Sequence, residues 1–173
     1  MNTLSIKCLL LKLLPRNLLD VVARDLLDAL LANSSDLTRK CVVINTQPSN
    51  MPGEHWVCLW FNSGKSVDFF DSFGQTPEKY KIIIKNVSNY NYKILQSNDT
   101  TVCGHYCIWY ILLRASGVTH KNTVRHMSRF NDSHVRNLVE RLAVKHQLNR
   151  LCSPSSCPAG SQCCTSRVQW CLV

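Results

Sequence analysis

Four side chains with complementary chemistry occur in one order along the chain: His55, Asp71, Gln96 and Cys103. A thiolate is a nucleophile, and an imidazole oriented by a carboxylate can activate it and later protonate a leaving group. A side-chain amide can donate a hydrogen bond to a developing oxyanion. No single one of these residues is diagnostic, but the ordered set is specific and indicates nucleophilic catalysis at a carbonyl carbon.

Cys103 lies in the segment "ILQSNDTTVCGHYC", where polar residues precede an apolar run. We predict that a buried helix begins at Cys103, so that the helix dipole stabilises its thiolate. Gly104, which has no side chain, lets the backbone turn closely there. The alternatives are a metal ligand, half of a disulfide or a buried packing residue. The spacing of four to Cys107 places both thiols on one helix face and suits packing better than a disulfide.

The proposed partners of the thiol lie at the ends of predicted strands. His55 opens one strand, Asp71 ends the next, and the short connection "SGK" predicts a hairpin that brings the two together. Gln96 would donate to the oxyanion alongside the Cys103 backbone N–H. His55 could instead be a core histidine, Asp71 a turn residue and Gln96 a surface amide.

Hydrophobic periodicity and turn residues predict an α+β fold. The predicted sheet is central and mostly antiparallel, helices pack on it, and Cys103 starts a buried central helix. Gly117 is the predicted C-cap of that helix and Ser133 the N-cap of the last one. The predicted helices span 17–32, 76–84, 103–115, 121–130 and 133–147, and the predicted strands 41–46, 55–62, 66–71 and 92–96.

The 173 residues predict one domain over 1–148, followed by a disordered tail over 149–173. Five of the ten cysteines fall in this Ser- and Pro-rich tail, and their spacing makes a poor zinc site. No apolar stretch is long enough to span a membrane, and the N-terminal run "CLLLKLLP" lacks the cleavage site of a signal peptide. We therefore expect an intracellular, reducing environment and no membrane partner.

Positive charge is concentrated in the last third of the chain. Residues 114–173 carry nine Lys and Arg but two Asp and Glu, whereas the formal net charge of the whole chain is +9. Such a segment favours contact with polyanions, nucleic acid first, although many basic segments are only solvated faces.

The segments "CVVINTQPSNMPGEHWVCLWF", "VDFFDSFG" and "LQSNDTTVCGHYC" resemble the adenovirus-type cysteine proteases (adenain). They look most like the relatives encoded by Polinton/Maverick elements and adintovirus-like viruses. The same order of residues marks the wider clan that includes the Ulp/SENP proteases. The resemblance covers about residues 22–117. It implies that His55 is the base, Asp71 its partner, Gln96 the oxyanion donor and Cys103 the nucleophile.

The resemblance implies a cysteine endopeptidase that cleaves viral or transposon-encoded capsid or precursor polypeptides, in the nucleus or the virion. It also implies DNA as an activator, although the chemistry itself requires no cofactor. The acid is Asp rather than the Glu of adenovirus enzymes, and the stretch "YKIIIKNVSN" lacks the cysteine that would bind a disulfide-linked activating peptide. The alternatives are a Ulp/SENP-type isopeptidase that removes ubiquitin-like modifiers and a non-catalytic, basic DNA-binding protein.

Overall fold

The computed structural model describes residues 1–63 and 66–148, and within them it shows an α+β fold. The predicted disordered tail, with its five cysteines, lies outside the described residues. Two short 3-10 turns, at Arg24–Leu26 and Pro77–Tyr80, supplement the regular elements. The elements are α1 (Thr3–Leu13), β1 (Leu18–Ala23), α2 (Leu27–Ala32), β2 (Cys41–Asn45), β3 (Trp56–Phe61), β4 (Val67–Phe70), β5 (Val87–Tyr90), α3 (Cys103–Ala115), α4 (His120–Met127) and α5 (Asp132–Leu148).

The five strands form one mixed sheet in which spatial order follows chain order. The inner pairs, β2 with β3 and β3 with β4, are antiparallel, and this confirms the predicted hairpin. The outer pairs, β1 with β2 and β4 with β5, are parallel. The prediction of a mostly antiparallel sheet was therefore wrong, because neither edge strand had been recognised as such.

The predicted helix over 17–32 is the largest correction. Its first half is strand β1, which pairs with β2 from Leu18 opposite Cys41 to Ala23 opposite Asn45, and only Leu27–Ala32 is helical. All five residues of β2 are buried, so the backbone groups on its outer edge need partners that water cannot supply. Pairing with β1 provides them, and this tertiary contact overrides the helical spacing of the leucines.

Three smaller predictions also fail. The predicted helix over 76–84 is reduced to the 3-10 turn Pro77–Tyr80, which Lys81 ends in the left-handed region at φ 57°. The predicted strand over 92–96 is a loop, and β5 lies earlier in the chain. Ser133 is not the N-cap of α5, since the helix begins at Asp132 and the Asn131 side chain accepts from the His134 N–H.

Both faces of the sheet are covered. Helices α1, α3 and α5 bury one face over Val43, Cys58 and Phe70, and α3 packs directly on β3. The other face, which includes Ile44 and Leu59, is buried beneath α2 and the segment after β4. Two covered faces explain why β3 is apolar along its whole length and β2 is apolar up to its last residue, Asn45. In the part of the chain that the structure describes, no helix has the length and apolar character that crossing a bilayer requires.

Helix α3 is anchored at its C-terminal end as well as along its side. Gly117, at φ 89°, ends the helix with the two backbone hydrogen bonds of a Schellman motif, Gly117 N–H to Arg114 and Val118 N–H to Leu113. The Arg114 guanidinium lies 2.7 Å from the buried Asp68 carboxylate on β4 and also donates to Asn62. The orientation of α3, and hence of Cys103 at its other end, depends on this contact.

We expect Arg114→Leu to lower the free energy of unfolding by about 3–5 kcal/mol, because it leaves the buried Asp68 carboxylate without its cation. Urea denaturation would measure the loss. The matched control is Arg125→Leu on α4, where the guanidinium is exposed and donates to Asn122, and it should change the free energy by less than about 0.5 kcal/mol. Equal losses in the two variants would contradict this account of α3.

Candidate active site

The structure brings the four predicted side chains together. Cys103 is the first residue of α3, His55 immediately precedes β3, and Asp71 immediately follows β4. Gln96 lies in the loop between β5 and α3. All four are buried, and three of them, His55, Gln96 and Cys103, line one open cavity of about 430 Å³. Asp71 is placed behind His55 and has no exposed surface.

His55 uses its two ring nitrogens for two different partners. Its Nε2 lies 2.6 Å from Asp71 Oδ1, and the Cys103 thiol is close enough to the ring to help raise the pKa of His55. Since Asp71 occupies Nε2, Nδ1 is the nitrogen left for the thiol. Phe73 stacks on the imidazole at 4.8 Å between ring centroids, and Tyr80 lies at 5.6 Å. The ring orientation is therefore set by a carboxylate on one edge and by aromatic side chains on its surface.

The Asp71 carboxylate is fully hydrogen-bonded. Oδ1 accepts from His55 and from the Phe73 N–H, and Oδ2 accepts from the Gln75 N–H and the Tyr80 hydroxyl. Four donors compensate for complete burial and hold the group in one orientation. Burial and the neighbouring Asp71 charge raise the pKa of Tyr80, so its hydroxyl stays protonated and remains a donor.

The turn after β4 supplies two of these donors, and glycine makes the turn feasible. The Gly74 N–H donates to the Asp71 carbonyl, and Gly74 has φ 68°, which L side chains rarely adopt. A Cβ at Gly74 would also lie 2.9 Å from the Tyr92 carbonyl oxygen. The "DSFG" stretch is thus a tight turn folded around its own aspartate.

The protonation states favour a thiolate–imidazolium pair. Burial by itself disfavours the charged imidazole, but the hydrogen bonds and charges of Asp71 and Cys103 outweigh it and raise the pKa of His55 to about 9. Burial also disfavours the Cys103 thiolate. Hydrogen bonding and charge from His55, with the Trp56 and Gly104 N–H groups, nevertheless bring the pKa of Cys103 below its usual value. Each partner stabilises the charged form of the other.

Other described cysteines have the opposite electrostatics. Burial raises the pKa of the Cys41 and Cys107 thiols. Cys107 has no exposed surface, and its thiol donates to the Trp56 carbonyl oxygen at 3.3 Å. Cys107 is therefore a packing residue, as its spacing from Cys103 indicated.

Trp56 positions both thiols with its backbone. The Thr46 N–H donates to the His55 carbonyl, so the peptide groups of the next residue, Trp56, point away from β2. Strand β4 has ended by this point, since its last pair is Phe70 with Cys58. Helix α3 lies at this open edge: the Trp56 carbonyl accepts from the Cys107 thiol at 3.3 Å, and the Trp56 N–H helps to lower the pKa of Cys103.

Two hydrogen bonds hold the Gln96 side-chain amide in one position, which an oxyanion donor would require. Its Oε1 accepts from the Ser72 hydroxyl at 2.8 Å, and its Nε2 donates to the Thr100 carbonyl at 2.7 Å. One Nε2 hydrogen then remains for the cavity. As the first residue of α3, Cys103 also has a backbone N–H with no acceptor within the helix.

Sequence reasoning missed several residues that complete the site. Phe73 and Ser72 lie inside the quoted "DSFG" stretch, where their contribution could have been suspected from adjacency to Asp71. Tyr80 was assigned to a helix, which hid its position over His55. The Asn91 side chain accepts from the Asp71 N–H and donates to the Asp71 carbonyl. Nothing in the sequence distinguishes Asn91 from an ordinary loop residue.

No protein-family model matches the chain, and no curated protein matches it significantly. Within residues 1–63 and 66–148, no group of three or more His, Cys, Asp and Glu side chains is placed to hold a metal ion.

We expect iodoacetamide to alkylate Cys103 faster than the other nine cysteines at pH 6, because His55 holds the pKa of the Cys103 thiol below its usual value and the thiolate is the reactive form. Since His55 stabilises the thiolate, His55→Ala should raise this pKa and abolish the preference at pH 6 while leaving the slow labelling of other thiols unchanged. Peptide mapping after timed labelling between pH 5 and 10 measures each rate. A Cys103 profile that coincides with those of the other cysteines would contradict the ion pair.

We expect Asp71→Asn to lower the pKa of His55 from about 9 towards ~6.5, because the raised value depends on the carboxylate. Between these two values the imidazole of the variant loses its proton while that of the parent keeps it. NMR titration of the His55 ring would measure the change. Asp20→Asn is the control, because this carboxylate on β1 pairs with Lys7 outside the cavity lining and its loss should leave the His55 titration near pH 9.

Proposed function

We propose that the protein is a cysteine endopeptidase with a Cys103–His55–Asp71 triad and Gln96 in the oxyanion hole. The observation that carries the proposal is the shared cavity, in which a thiol of lowered pKa, an imidazolium of raised pKa and a fixed amide donor converge. Structural histidine–carboxylate pairs are common, but they do not require a low-pKa thiol and an amide N–H beside them.

The residues suffice for each step of amide hydrolysis. The Cys103 thiolate attacks the peptide carbonyl carbon, and the oxyanion is held by Gln96 Nε2–H and the Cys103 N–H. His55 gives its Nδ1 proton to the leaving amine as the C–N bond breaks, and a thioester forms. Water then gives a proton to His55 and attacks the thioester, which releases the acid and restores the thiolate–imidazolium pair.

The substrate class comes from the resemblance to adenain-like proteases, especially those of Polinton/Maverick elements. It favours capsid or precursor polypeptides of a virus or transposon, processed in the nucleus or virion. The fold has features that this relationship requires: the cysteine begins a buried helix, and the histidine and acid flank adjacent antiparallel strands. A Ulp/SENP-type isopeptidase would use the same four residues, so only substrates separate these two alternatives.

DNA remains a proposed partner. The basic character extends into the described helices, where α4 carries the exposed Lys121 and Arg125. Electrostatic attraction by such a surface falls as salt rises. A purely DNA-binding protein would need neither the lowered pKa of Cys103 nor the His55–Asp71 contact, and this favours a catalytic protein over a purely DNA-binding one.

We expect the protein to cleave a proteome-derived peptide library and Cys103→Ala to abolish this cleavage. Gln96→Ala should lower kcat by about 10²–10³-fold, because one oxyanion donor is lost. Mass spectrometry of new N-termini would identify the sites, with and without added duplex DNA. The control is Cys107→Ala, which removes the neighbouring buried thiol and should retain cleavage.

The same experiment separates the alternatives. Cleavage confined to the tail of a ubiquitin-like protein would favour the isopeptidase. DNA binding without any cleavage, unchanged in Cys103→Ala, would favour the binding protein and overturn the endopeptidase.

A further inference from the structure

Ser72 connects the acid to the oxyanion residue. It follows Asp71 directly and has no exposed surface, and its hydroxyl lies 2.8 Å from Gln96 Oε1. Its carbonyl accepts from the N–H groups of Leu95 and Gln96 at 2.8 and 3.1 Å. Three hydrogen bonds thus join one turn residue to the loop that carries the oxyanion donor.

The hydrogen-bond partners determine which way the Gln96 amide faces. A side-chain amide has two orientations that look alike, and a hydroxyl can serve either of them because it both donates and accepts. The Thr100 carbonyl can only accept, so the Gln96 nitrogen must face it. The Gln96 oxygen must then face Ser72, and the Ser72 hydroxyl must be the donor. The second Nε2 hydrogen is left for the cavity.

The Thr100 side of the amide is held by a second group. Asp132, the first residue of α5, accepts from the Ser97 N–H at 3.0 Å and from the Thr100 hydroxyl at 2.6 Å. The Tyr106 hydroxyl on α3 lies 2.9 Å from the other carboxylate oxygen. The Asp132 carboxylate, which is not part of the cavity lining, therefore holds the loop that places Thr100 beside Gln96.

We propose that Ser72 is a positioning residue that fixes the amide orientation of Gln96, with Asp132 holding the opposite side of the amide through Thr100. The inference rests on the proposed protease function and adds residues to its site. Without the Ser72 hydroxyl, Gln96 Oε1 is buried with no donor, and the amide can move away from the oxyanion. Because Ser72 and Asp71 are adjacent, one turn orients both the base and the oxyanion hole.

The test compares Ser72→Ala with Gln96→Ala and the double variant on the peptide that the library shows to be cleaved fastest. We expect Ser72→Ala to lower kcat about 10–100-fold with KM nearly unchanged, as part of the loss seen on removing the oxyanion donor. In the Gln96→Ala background the same change should have almost no further effect on kcat, since the group it positions is absent.

Alkylation of Cys103 by iodoacetamide separates positioning from general damage. This substitution forms no oxyanion, so its rate in Ser72→Ala should equal that of the parent. Ser88→Ala is the control: it removes a hydroxyl that bonds the Val67 carbonyl outside the cavity lining, and it should retain both rates. Asp132→Asn should show a smaller loss of kcat with the same unchanged alkylation. Because Asp132→Asn leaves Ser72 intact, it tests the positioning of the Gln96 amide from the Thr100 side if Ser72→Ala fails to fold.

An unchanged kcat in Ser72→Ala would overturn the inference. So would an equal loss in the parent and Gln96→Ala backgrounds, or a parallel loss of alkylation and hydrolysis. If Ser72→Ala does not fold, an unaltered kcat in Asp132→Asn would overturn it instead. If the parent alkylates rapidly at Cys103 but cleaves no peptide or protein, the proposed function fails, and the inference fails with it.

Discussion

Complete burial of the Asp71 carboxylate is the constraint on which the rest of the site depends. An ionised carboxylate away from water is unfavourable unless charged or N–H and O–H donors surround it. The molecule meets this requirement with an imidazole, two backbone N–H groups of one turn, and a tyrosine hydroxyl. These hydrogen bonds also constrain the structure around them: together they determine the course of the "DSFG" turn, the position of Tyr80 and the orientation of His55.

The electrostatic effect of this carboxylate reaches the thiol through the histidine. Asp71 raises the pKa of His55, and the resulting positive charge lowers the pKa of Cys103. Cys107 is one helical turn away and has no such neighbour, so burial governs it and its pKa rises. The pKa values of these two cysteines are therefore shifted in opposite directions, because His55 and the N–H groups of Trp56 and Gly104 stabilise a thiolate at Cys103 and burial disfavours one at Cys107.

The arrangement of β3, β4 and α3 explains why these groups meet. Residues at the ends of adjacent antiparallel strands are close in space, and this places His55 near Asp71. The last residue of β4, Phe70, pairs with Cys58, so β4 does not extend alongside Trp56. The edge of β3 at Trp56 is therefore open, and the start of α3 lies against it. The Arg114–Asp68 contact and the Schellman motif hold the other end of the helix, so that Cys103 projects from a rigid element rather than from a loop.

The order and chemical types of the four site residues, the hairpin and the helix that begins at Cys103 were determined by the sequence itself. The hairpin and the helix depend on hydrophobic periodicity and on turn residues that are close together in the chain, and both can be read from a short stretch of sequence. Tertiary structure alone decided that 18–23 is a strand, that both edge pairs are parallel, and that Ser72, Tyr80 and Asn91 support the site. Each of these outcomes provides a hydrogen-bond partner for a buried backbone or carboxylate group. The residues that provide these partners are distant in the sequence or follow no local pattern, so the sequence does not indicate them.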